Sequence, residues 1–581
     1  MANYETPAKS NDPFVPGYGE NWGFKASAIG IPTSIQTANQ LQETTNALNQ
    51  GTKFVELQPI QQETFQQIPK EHFKEIKRLS KLVGSETSLH APMIEPSGIG
   101  EQGWTKESQN LAFLQLKDAL EKAHELNPDK PVSVTIHGSG LPGNETIKDS
   151  NQKDGYRVTA IQVLDQTTGR PRGVINEDEE WDIATNQKKL INPFKKLEEI
   201  NERQWQESVR SAIWYKRRAD EFIAPFDKEE EKLMEAQLKK MGLPDEEIKK
   251  QIDHRKEDRE DKMEEGKIML NEAGLNIKNM YDNARKFSSD EDKEKLFEIH
   301  KLWSNSDMSD VQEKSKVFSK SLQVLSDMKP QILVPLQQFA KDKTAETFAN
   351  LALEASKMKG AAPQINIENW QPGAGFSTAK ELGGLIEESR KLFVKKAMAN
   401  EGMSESEAKR KAKEIIGVTW DVGHSNIIRK QGFGKEDVVK EAEAIAKYVK
   451  HVHLTDNFGY TDSHLAAGMG NVPIKEIFGK LKEAGFKGKV AHEAGIFAAQ
   501  FKTSPHAYAL EALGSPLYPS RGSYIWGDQK ISGAGNYFGG YGTMIPEGNF
   551  ARYGAGFSNM PVELGGQRAK PQGQFSGAPT E

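Results

Sequence analysis

The amino-acid sequence predicts an α/β fold: a (β/α)8 TIM barrel with a large, mostly helical insertion after strand 4 and a Gly/aromatic-rich C-terminal tail. Short β-branched runs alternate with helix-period segments before residue 145 and again after residue 363, with four strands on each side. Strands separated by helices form βαβ units with a parallel sheet. Eight such units close into a barrel whose active site lies at the carboxyl ends of the strands, and histidines and carboxylates cluster at those predicted ends.

The first half of the barrel is predicted over residues 20–145, where β-branched runs take turns with segments of helical apolar spacing. Its predicted strands are 22–27, 53–57, 86–90 and 132–137. Its predicted helices are 34–49, 71–83 and 106–126. The second half is predicted over residues 363–502. Its strands should end at Glu368, Asp421, Thr455 and Glu493, with helices over 378–400 and 435–449.

Between the two halves, residues 146–362 form a predicted insertion, far longer than the usual βα loop of about 2–6 residues. It opens with a β-hairpin predicted to turn at Thr168-Gly169, and the remainder has helical, charged patterns. Dense charge of mixed sign over residues 244–266 favours a solvated helix face or a coiled-coil-like arm over a DNA-binding stripe.

The last predicted region, residues 503–581, is an irregular tail in which glycines and aromatic residues interleave. Aromatic side chains on a flexible basic chain can stack on single-stranded nucleic acid, but this tail has few lysines or arginines. We therefore expect a segment draped over the barrel, or a contact with another subunit. A protein partner bound through the insertion or the tail is the corresponding expectation.

Charge and composition exclude several classes of protein. The formal net charge is −6 over 581 residues, so no global basic field attracts nucleic acid or anionic membranes. Cysteine is absent, which excludes disulfides, iron–sulfur clusters and thiolate zinc sites. The polar N-terminus lacks the apolar core of a secretory signal, and no apolar run approaches about 18 residues. We expect a soluble, cytoplasmic protein without membrane contact.

Five histidines and four carboxylates lie at, or just past, the predicted strand ends. Imidazole nitrogens and carboxylate oxygens suit zinc, manganese or iron. Four carboxylates at one rim would repel one another without cations, so two or three divalent ions are predicted, with Zn2+ favoured and Mn2+ the alternative. The nine candidate ligands are His90, His137, Glu368, Asp421, His424, His453, Asp462, His464 and Glu493.

The order of these residues resembles the endonuclease IV branch (AP endonuclease family 2) of the xylose isomerase-like TIM-barrel superfamily. In that branch a histidine follows the third strand and another the fourth, and a glutamate in an E-N pair ends the fifth. D-x-x-H follows the sixth strand, H-L-x-D and D-x-H follow the seventh, and a glutamate ends the eighth. The matching residues here are His90, His137, Glu368-Asn369, Asp421 with His424, His453 in HLTD, Asp462 with His464, and Glu493.

The resemblance covers residues 20–145 and 360–500, about half of the chain, and implies three metal sites. Glu368 would belong to the first and bridge to the second. The implied sets are His90, His137 and Glu368; then Glu368, Asp421, His453 and Glu493; then His424, Asp462 and His464.

The resemblance also implies a divalent-metal-dependent enzyme. The leading prediction is phosphodiester hydrolysis of the endonuclease IV type by a metal-activated water, with abasic-site DNA as the partner. The alternative is a sugar or sugar-phosphate isomerase or epimerase acting on a small substrate, because one-metal enzymes on this barrel use only the second set. In that reaction Glu368 and Glu493 are the catalytic acid/base pair. A binding or assembly protein that retains the barrel is a further alternative.

Two departures from the endonuclease pattern favour the alternatives. The loop PIQQETFQQIPK lacks the family's DNA-probing arginine, and Met93 stands where the family has a tyrosine. His451 and His492 flank predicted ligands and are expected to point away from the barrel interior as structural residues. Trp370 and Trp420 are expected to serve packing.

Overall fold

The computed structural model contains a closed barrel of eight parallel strands. Each strand pairs with the next along the chain, and the eighth pairs with the first. The strands are β1 (Ile29–Pro32), β2 (Phe54–Leu57), β3 (Glu86–His90), β4 (Ser133–His137), β5 (Gln364–Glu368), β6 (Ile416–Asp421), β7 (Val449–Leu454) and β8 (Lys489–His492). The structure describes residues 14–15, 23–152, 155–223, 228–494, 505, 509–510, 513, 574–575 and 578–579.

Strands β4 and β5 lie side by side although the insertion separates them in the chain. Their parallel register pairs Val134 with Ile365 and His137 with Glu368. The predicted barrel fold, with its adjacent fourth and fifth strands, is therefore confirmed.

Helices connect the strands around the outside of the barrel. They are α1 (Gln40–Asn49), α2 (Lys70–Val83), α3 (Lys106–Leu126), α4 (Leu336–Lys357), α5 (Ala379–Glu401), α6 (Lys435–Ile445) and α7 (Ile474–Glu483). A capping box starts α5, because the Thr378 hydroxyl accepts from the Glu381 N–H and the Glu381 carboxylate accepts from the Thr378 N–H. Further helices are Ala26–Ala28, Gln62–Gln66, Glu405–Ile415, Val422–Asn426, Ile427–Gln431 and Ala446–Tyr448.

Residues Thr159–Leu336 form a second compact unit. Its sheet is built on Tyr156–Asp165, which pairs antiparallel with Arg170–Asn176 on one side and Leu333–Pro335 on the other. A separate hairpin joins Asp178–Asp182 to Gln187–Ile191. Its helices are Pro193–Phe222, Lys228–Lys240, Asp245–Phe287, Asp290–Ser304 and Val311–Ser326.

A helical core stabilises the second unit. Trp205 is buried in it with Ile277 and Phe318. Its indole N–H, which would be costly to bury without a partner, donates to the Leu325 carbonyl at 2.8 Å. Among the described residues, no helix is both long and apolar enough to cross a membrane.

Several boundaries differ from those predicted. The strand predicted over 22–27 is wrong, since the barrel begins at β1 and Gly23–Phe24 pairs with Phe14–Val15 instead. Helix α1 begins six residues later than predicted because the Asn39 side chain caps it by accepting from the Gln42 N–H. The range predicted for the insertion, 146–362, also includes α4, which belongs to the barrel unit. The predicted tail falls almost wholly outside the described residues.

The close approach of β1 and β2 gives a stability prediction. A Cβ on Gly30 would lie 2.1 Å from Phe54 Cδ1 and 2.7 Å from the Phe54 carbonyl oxygen. Gly30→Ala should therefore lower the free energy of unfolding by about 1–3 kcal/mol. Gly384→Ala is the control, because no atom lies within 4 Å of its Cβ position in α5 and alanine favours helix by up to about 1 kcal/mol. Urea unfolding followed by circular dichroism measures both, and equal stability of Gly30→Ala and wild type would contradict the prediction.

Candidate metal centre

The first predicted ligand set converges where β3, β4 and β5 end. Nε2 of His90 lies 3.3 Å from Glu368 Oε2, and Nε2 of His137 lies 3.4 Å from the same oxygen. Each is the last residue of its strand, and the register of β4 and β5 pairs His137 with Glu368. One carboxylate oxygen and two imidazole nitrogens thus surround a common point, as a divalent ion requires.

The second set shares Glu368 and adds residues from β6, β7 and the end of β8. Nδ1 of His453 lies 2.7 Å from Glu368 Oε1 and 3.4 Å from Glu493 Oε1. With Asp421, one ligand atom from each of these four residues falls within 4.8 Å of all the others. Glu368 therefore faces both sets with its two oxygens, the geometry of a bridging carboxylate.

The third set lies beside them. Asp462 Oδ2 is 3.1 Å from Nε2 of His424 and 2.9 Å from Nε2 of His464. His464 has a φ of 44°, a left-handed conformation that is uncommon for residues with a side chain. Strain of this kind persists where surrounding contacts impose it, and it concentrates at functional sites. All nine predicted ligands therefore fall into the three predicted groups, and their binding of metal ions stays a prediction.

Three of the histidines are oriented in the same way, by a hydrogen bond between Nδ1 and a backbone carbonyl. Nδ1 of His90 lies 2.8 Å from the Ala91 carbonyl, and Nδ1 of His424 lies 2.8 Å from the Asn369 carbonyl. Nδ1 of His464 lies 3.2 Å from the Glu493 carbonyl. Because a carbonyl can only accept, Nδ1 carries the hydrogen in each ring, and Nε2 is left to bind a cation.

Unpaired oxygens indicate that the residues fit cations. Within the described part of the chain, Glu368 Oε2, Asp421 Oδ2 and Asp462 Oδ1 are buried without a hydrogen bond. Buried carboxylate oxygens are costly in that state unless a cation neutralises them. The other Asp421 oxygen is satisfied, accepting from the His424 N–H at 2.8 Å and the Thr455 hydroxyl at 2.9 Å. Asp421 is thus held through one oxygen, and its other oxygen is left without a protein donor.

The pKa values of the histidines follow from burial among carboxylates. Burial alone would lower the pKa of His453, but Glu368 and the other nearby carboxylates raise it well above its ordinary value. Burial is likewise outweighed at His464, whose pKa rises to about 9 beside Asp462. At His137 burial dominates and lowers the pKa to about 3. Imidazolium groups thus offset carboxylate charge here, as cations would.

The pKa values of the two glutamates of the second set are shifted in opposite directions. Burial favours the neutral form of Glu368, but His453 and His137 lower its pKa well below the ordinary value. Burial raises the pKa of Glu493, and the neighbouring charge of Glu368 raises it further. One carboxyl is therefore held ionised while the other favours its proton.

The loop that carries Asp462 and His464 is fixed by a third aspartate. Asp456 accepts hydrogen bonds from the backbone N–H groups of Asn457, Gly468 and Val472 at 2.8–3.1 Å. A Cβ on Gly470 would lie 2.3 Å from Asp456 Oδ1, which explains the glycine there. The HLTD and G-x-G-N segments therefore act together to hold this loop.

A cavity of about 700 Å³ opens above the three sets. Trp370 lies in its wall, with its ring 4.3 Å from that of His137 and parallel within 9° to that of His424. It therefore contacts the first and third sets as well as the cavity, whereas Trp420 is fully buried, as expected for packing. Among the described residues, the lining of the cavity contains no lysine or arginine. The lining residues are Ile31, Pro32, Thr33, Ser34, Ile35, Gln36, Glu43, Gln58, Ile60, His90, Met93, His137, Glu368, Trp370, His424, Asp462, His464, His492, Glu493, Ala494 and Pro505.

Sequence reasoning missed a layer of polar residues below the predicted ligands. The expectation that His451 points away from the barrel interior is wrong, because residues 451 and 453 are two apart on β7 and share a face. Nε2 of His451 lies 2.8 Å from Oε2 of Glu56, a fully buried residue of β2. A charged residue inside the otherwise apolar FVEL strand was the available signal. His492 is buried and accepts from the Ala467 N–H at 3.2 Å, in keeping with a structural role.

Fold and site together define a TIM barrel with a candidate metal centre at the carboxyl ends of its strands. Residues 236–513 match a family model described as xylose isomerase-like TIM barrel. The match covers 278 of the 581 residues and includes the second half of the barrel, so this part of the chain is similar to the xylose isomerase-like TIM-barrel family.

A curated relative is similar over a short segment. The chain is 37% identical over 78 residues to Uncharacterized protein MJ1311 of Methanocaldococcus jannaschii, which is 13% of this chain and 25% of that protein. The chain thus aligns with about a quarter of this relative's length.

Solved structures give weak similarities. A D-tagatose 3-epimerase-like protein has 13% identity and a TM-score of 0.37 over 83% of this chain and 98% of its own. D-psicose 3-epimerase from Clostridium cellulolyticum H10, with D-tagatose, has 8% identity and a TM-score of 0.37 over 84% and 96% of the two chains. At these scores the similarities do not bear on the reaction.

The grouping of the ligands gives a prediction about metal content. Asp462→Ala combined with His464→Ala should lower the number of bound divalent ions by about one per chain and leave the other ions in place, because the first two sets share no residue with the third. Elemental analysis of protein purified without chelator measures this, with more than one ion per chain expected in the wild type. His254→Ala with His300→Ala is the control, since both are exposed on helices of the second unit. An unchanged count in the first variant would contradict the prediction.

Proposed function

We propose that this protein is a divalent-metal-dependent hydrolase of phosphate esters, with Zn2+ as the favoured ion. The observation that carries the proposal is the third set, in which Asp462 Oδ2 lies 3.1 Å from His424 Nε2 and 2.9 Å from His464 Nε2. A one-metal isomerase needs only the second set. A third group of ligands beside it supports a reaction that uses several cations, as phosphoryl chemistry does.

The chain's own residues would organise this reaction in distinct ways. Divalent ions, when bound, would lower the pKa of a water molecule and offset the negative charge of the phosphate. Glu368 would fix the spacing of the first two sets through its two oxygens, and Asp462 would hold the third beside them. Trp370 would limit the access of bulk water to the first set, because its ring centroid lies 4.3 Å from that of His137, and it faces His424 of the third set at 6.5 Å.

The cavity wall bears on the size of the substrate. DNA-binding surfaces neutralise several phosphates with lysines and arginines, whereas the described lining has neither. Apolar residues such as Ile31, Ile60 and Met93 line the cavity instead. These features favour a small phosphodiester over duplex DNA.

A sugar isomerase or epimerase is the second candidate, and the pair Glu368 and Glu493 favours it. Two carboxyls with oppositely shifted pKa values suit a reaction in which one group removes a proton while the other supplies one. Both approach His453 Nδ1, at 2.7 and 3.4 Å, so both would flank one ion and its ligand. The family model's description, which names xylose isomerase, fits this candidate as well.

Two phosphodiesters test the hydrolase directly. Zinc-loaded protein should cleave bis(p-nitrophenyl) phosphate, and duplex DNA with one abasic site should be a poorer substrate or none. Asp462→Asn should lower the rate at least about 100-fold, since it removes the charged oxygen shared by the third set. Glu441→Gln, a carboxyl change on α6 outside the three sets, is the control. Failure of metal-loaded wild type to cleave either ester would refute the proposal, whereas rapid abasic-site incision would correct the substrate class.

The same variants distinguish the isomerase. If the second candidate is correct, a panel of ketoses and ketose phosphates should be isomerised or epimerised by wild type and by Asp462→Asn at comparable rates. Glu493→Gln should abolish that turnover, because it removes a proton-transfer group. Chromatographic analysis of the sugars provides the measurement. No turnover of any sugar by a metal-loaded protein would exclude this candidate.

A further inference from the structure

A buried carboxylate lies one layer below the candidate metal centre. Glu56, on β2, is fully buried in the barrel interior and belongs to none of the three ligand sets. It reaches His451 and His453 on β7, which is not a neighbour of β2 in the sheet, so these contacts cross the interior of the barrel.

Several donors surround this carboxylate. Oε2 accepts from the Ser88 hydroxyl at 2.5 Å and lies 2.8 Å from His451 Nε2. Oε1 accepts from the Gln58 amide at 3.2 Å and lies 2.9 Å from His453 Nε2. A carboxylate is costly to bury, and it is retained in an interior only when donors of this kind compensate for lost water.

His453 differs from the three histidines that backbone carbonyls orient, because its Nε2 atom lies beside a carboxylate. His90, His424 and His464 each donate a ring hydrogen to a backbone carbonyl. The second nitrogen of His453 meets a carboxylate, and its other nitrogen, Nδ1, faces Glu368 and Glu493. An ionised carboxylate only accepts, and both ring nitrogens meet one, since Nδ1 lies 2.7 Å from Glu368 Oε1. A divalent ion bound at Nδ1 would replace the hydrogen there, and the remaining ring hydrogen would lie on Nε2, 2.9 Å from Glu56 Oε1.

We propose that Glu56 is a positioning residue that holds His453 in its Nε2-protonated form and so selects Nδ1 as the ligand of the ion in the second set. Its charge makes the ring a stronger donor to the ion than a carbonyl partner would. The inference rests on the proposed metal centre and applies to both candidate reactions, because each needs the second set.

A fourth metal site at Glu56, His451 and His453 is the competing interpretation, since their ligand atoms cluster. Glu56 already accepts hydrogen bonds from Ser88 and Gln58 and lies at hydrogen-bond distance, 2.8 Å, from His451 Nε2. The 2.9 Å contact with His453 Nε2 has the length of a hydrogen bond but not its alignment. His453 would also have to bind two ions through its two nitrogens. These points favour the positioning role.

Metal affinity tests the proposal without a substrate. Glu56→Gln keeps the shape of the side chain and should weaken the binding of one ion about 10–100-fold, leaving the others unchanged. Competition of Co2+ or Zn2+ against a chelator gives the affinities. Glu441→Gln is the matched control, because it replaces another largely buried carboxyl that accepts from the Ala379 N–H away from the centre. Wild-type affinities for every ion in Glu56→Gln would overturn the inference.

Three further outcomes are decisive. Uptake of a fourth ion by wild type that Glu56→Gln loses would show a ligand at Glu56 and overturn the positioning role. If Glu56→Gln does not fold, a crystal structure of metal-loaded wild type decides instead: an ion on His453 Nδ1 supports the inference, and an ion on Nε2 overturns it. Wild type that takes up no ion would also overturn it. Since no turnover is measured, inactivity toward phosphate esters refutes the proposed function alone.

Discussion

Backbone hydrogen bonds between β4 and β5 set His137 opposite Glu368, and those between β6 and β7 set Asp421 opposite His453. The other candidate ligands lie at, or just after, the ends of the barrel strands, so the same register determines their distance from these two pairs. Because side chains alternate along a strand, a slip of one residue in either pairing would turn a ligand out of the barrel. The metal centre therefore depends on the parallel register, and the segments after β6 and β7 add the third set.

The register of the strands places like charges close together. Glu368, Asp421, Asp462 and Glu493 share one end of the barrel, and histidines whose pKa values are raised separate them. The barrel interior beneath the candidate ligands stays polar. The Thr135 and Thr419 hydroxyls form a hydrogen bond of 2.8 Å there. Most TIM barrels fill this space with branched apolar residues. A polar layer costs stability, but it gives the ligands partners that hold them in place.

The fold and the ligand sets were predictable because they rest on local patterns. Strand ends carry the histidines and carboxylates, and parallel strands bring their ends together, so order along the chain is enough to group them. Glu56 was not predictable in its role, since its partners lie on a strand nearly 400 residues away. The first strand was misplaced for a related reason: Trp22 to Ser27 has strand-like composition, but pairing with β2 and β8 selects Ile29–Pro32.

The second unit has a consequence for how the barrel forms. Its first strand, Tyr156–Asp165, pairs with its last, Leu333–Pro335, so the two points where the chain enters and leaves this unit lie next to each other. Joining β4 to β5 would otherwise require closure of a very long loop, whose entropy opposes folding and slows it. Once the helical unit has folded, its paired ends act as a short connection between β4 and β5. The loop that must close to bring His137 next to Glu368 is then much shorter than the number of intervening residues suggests.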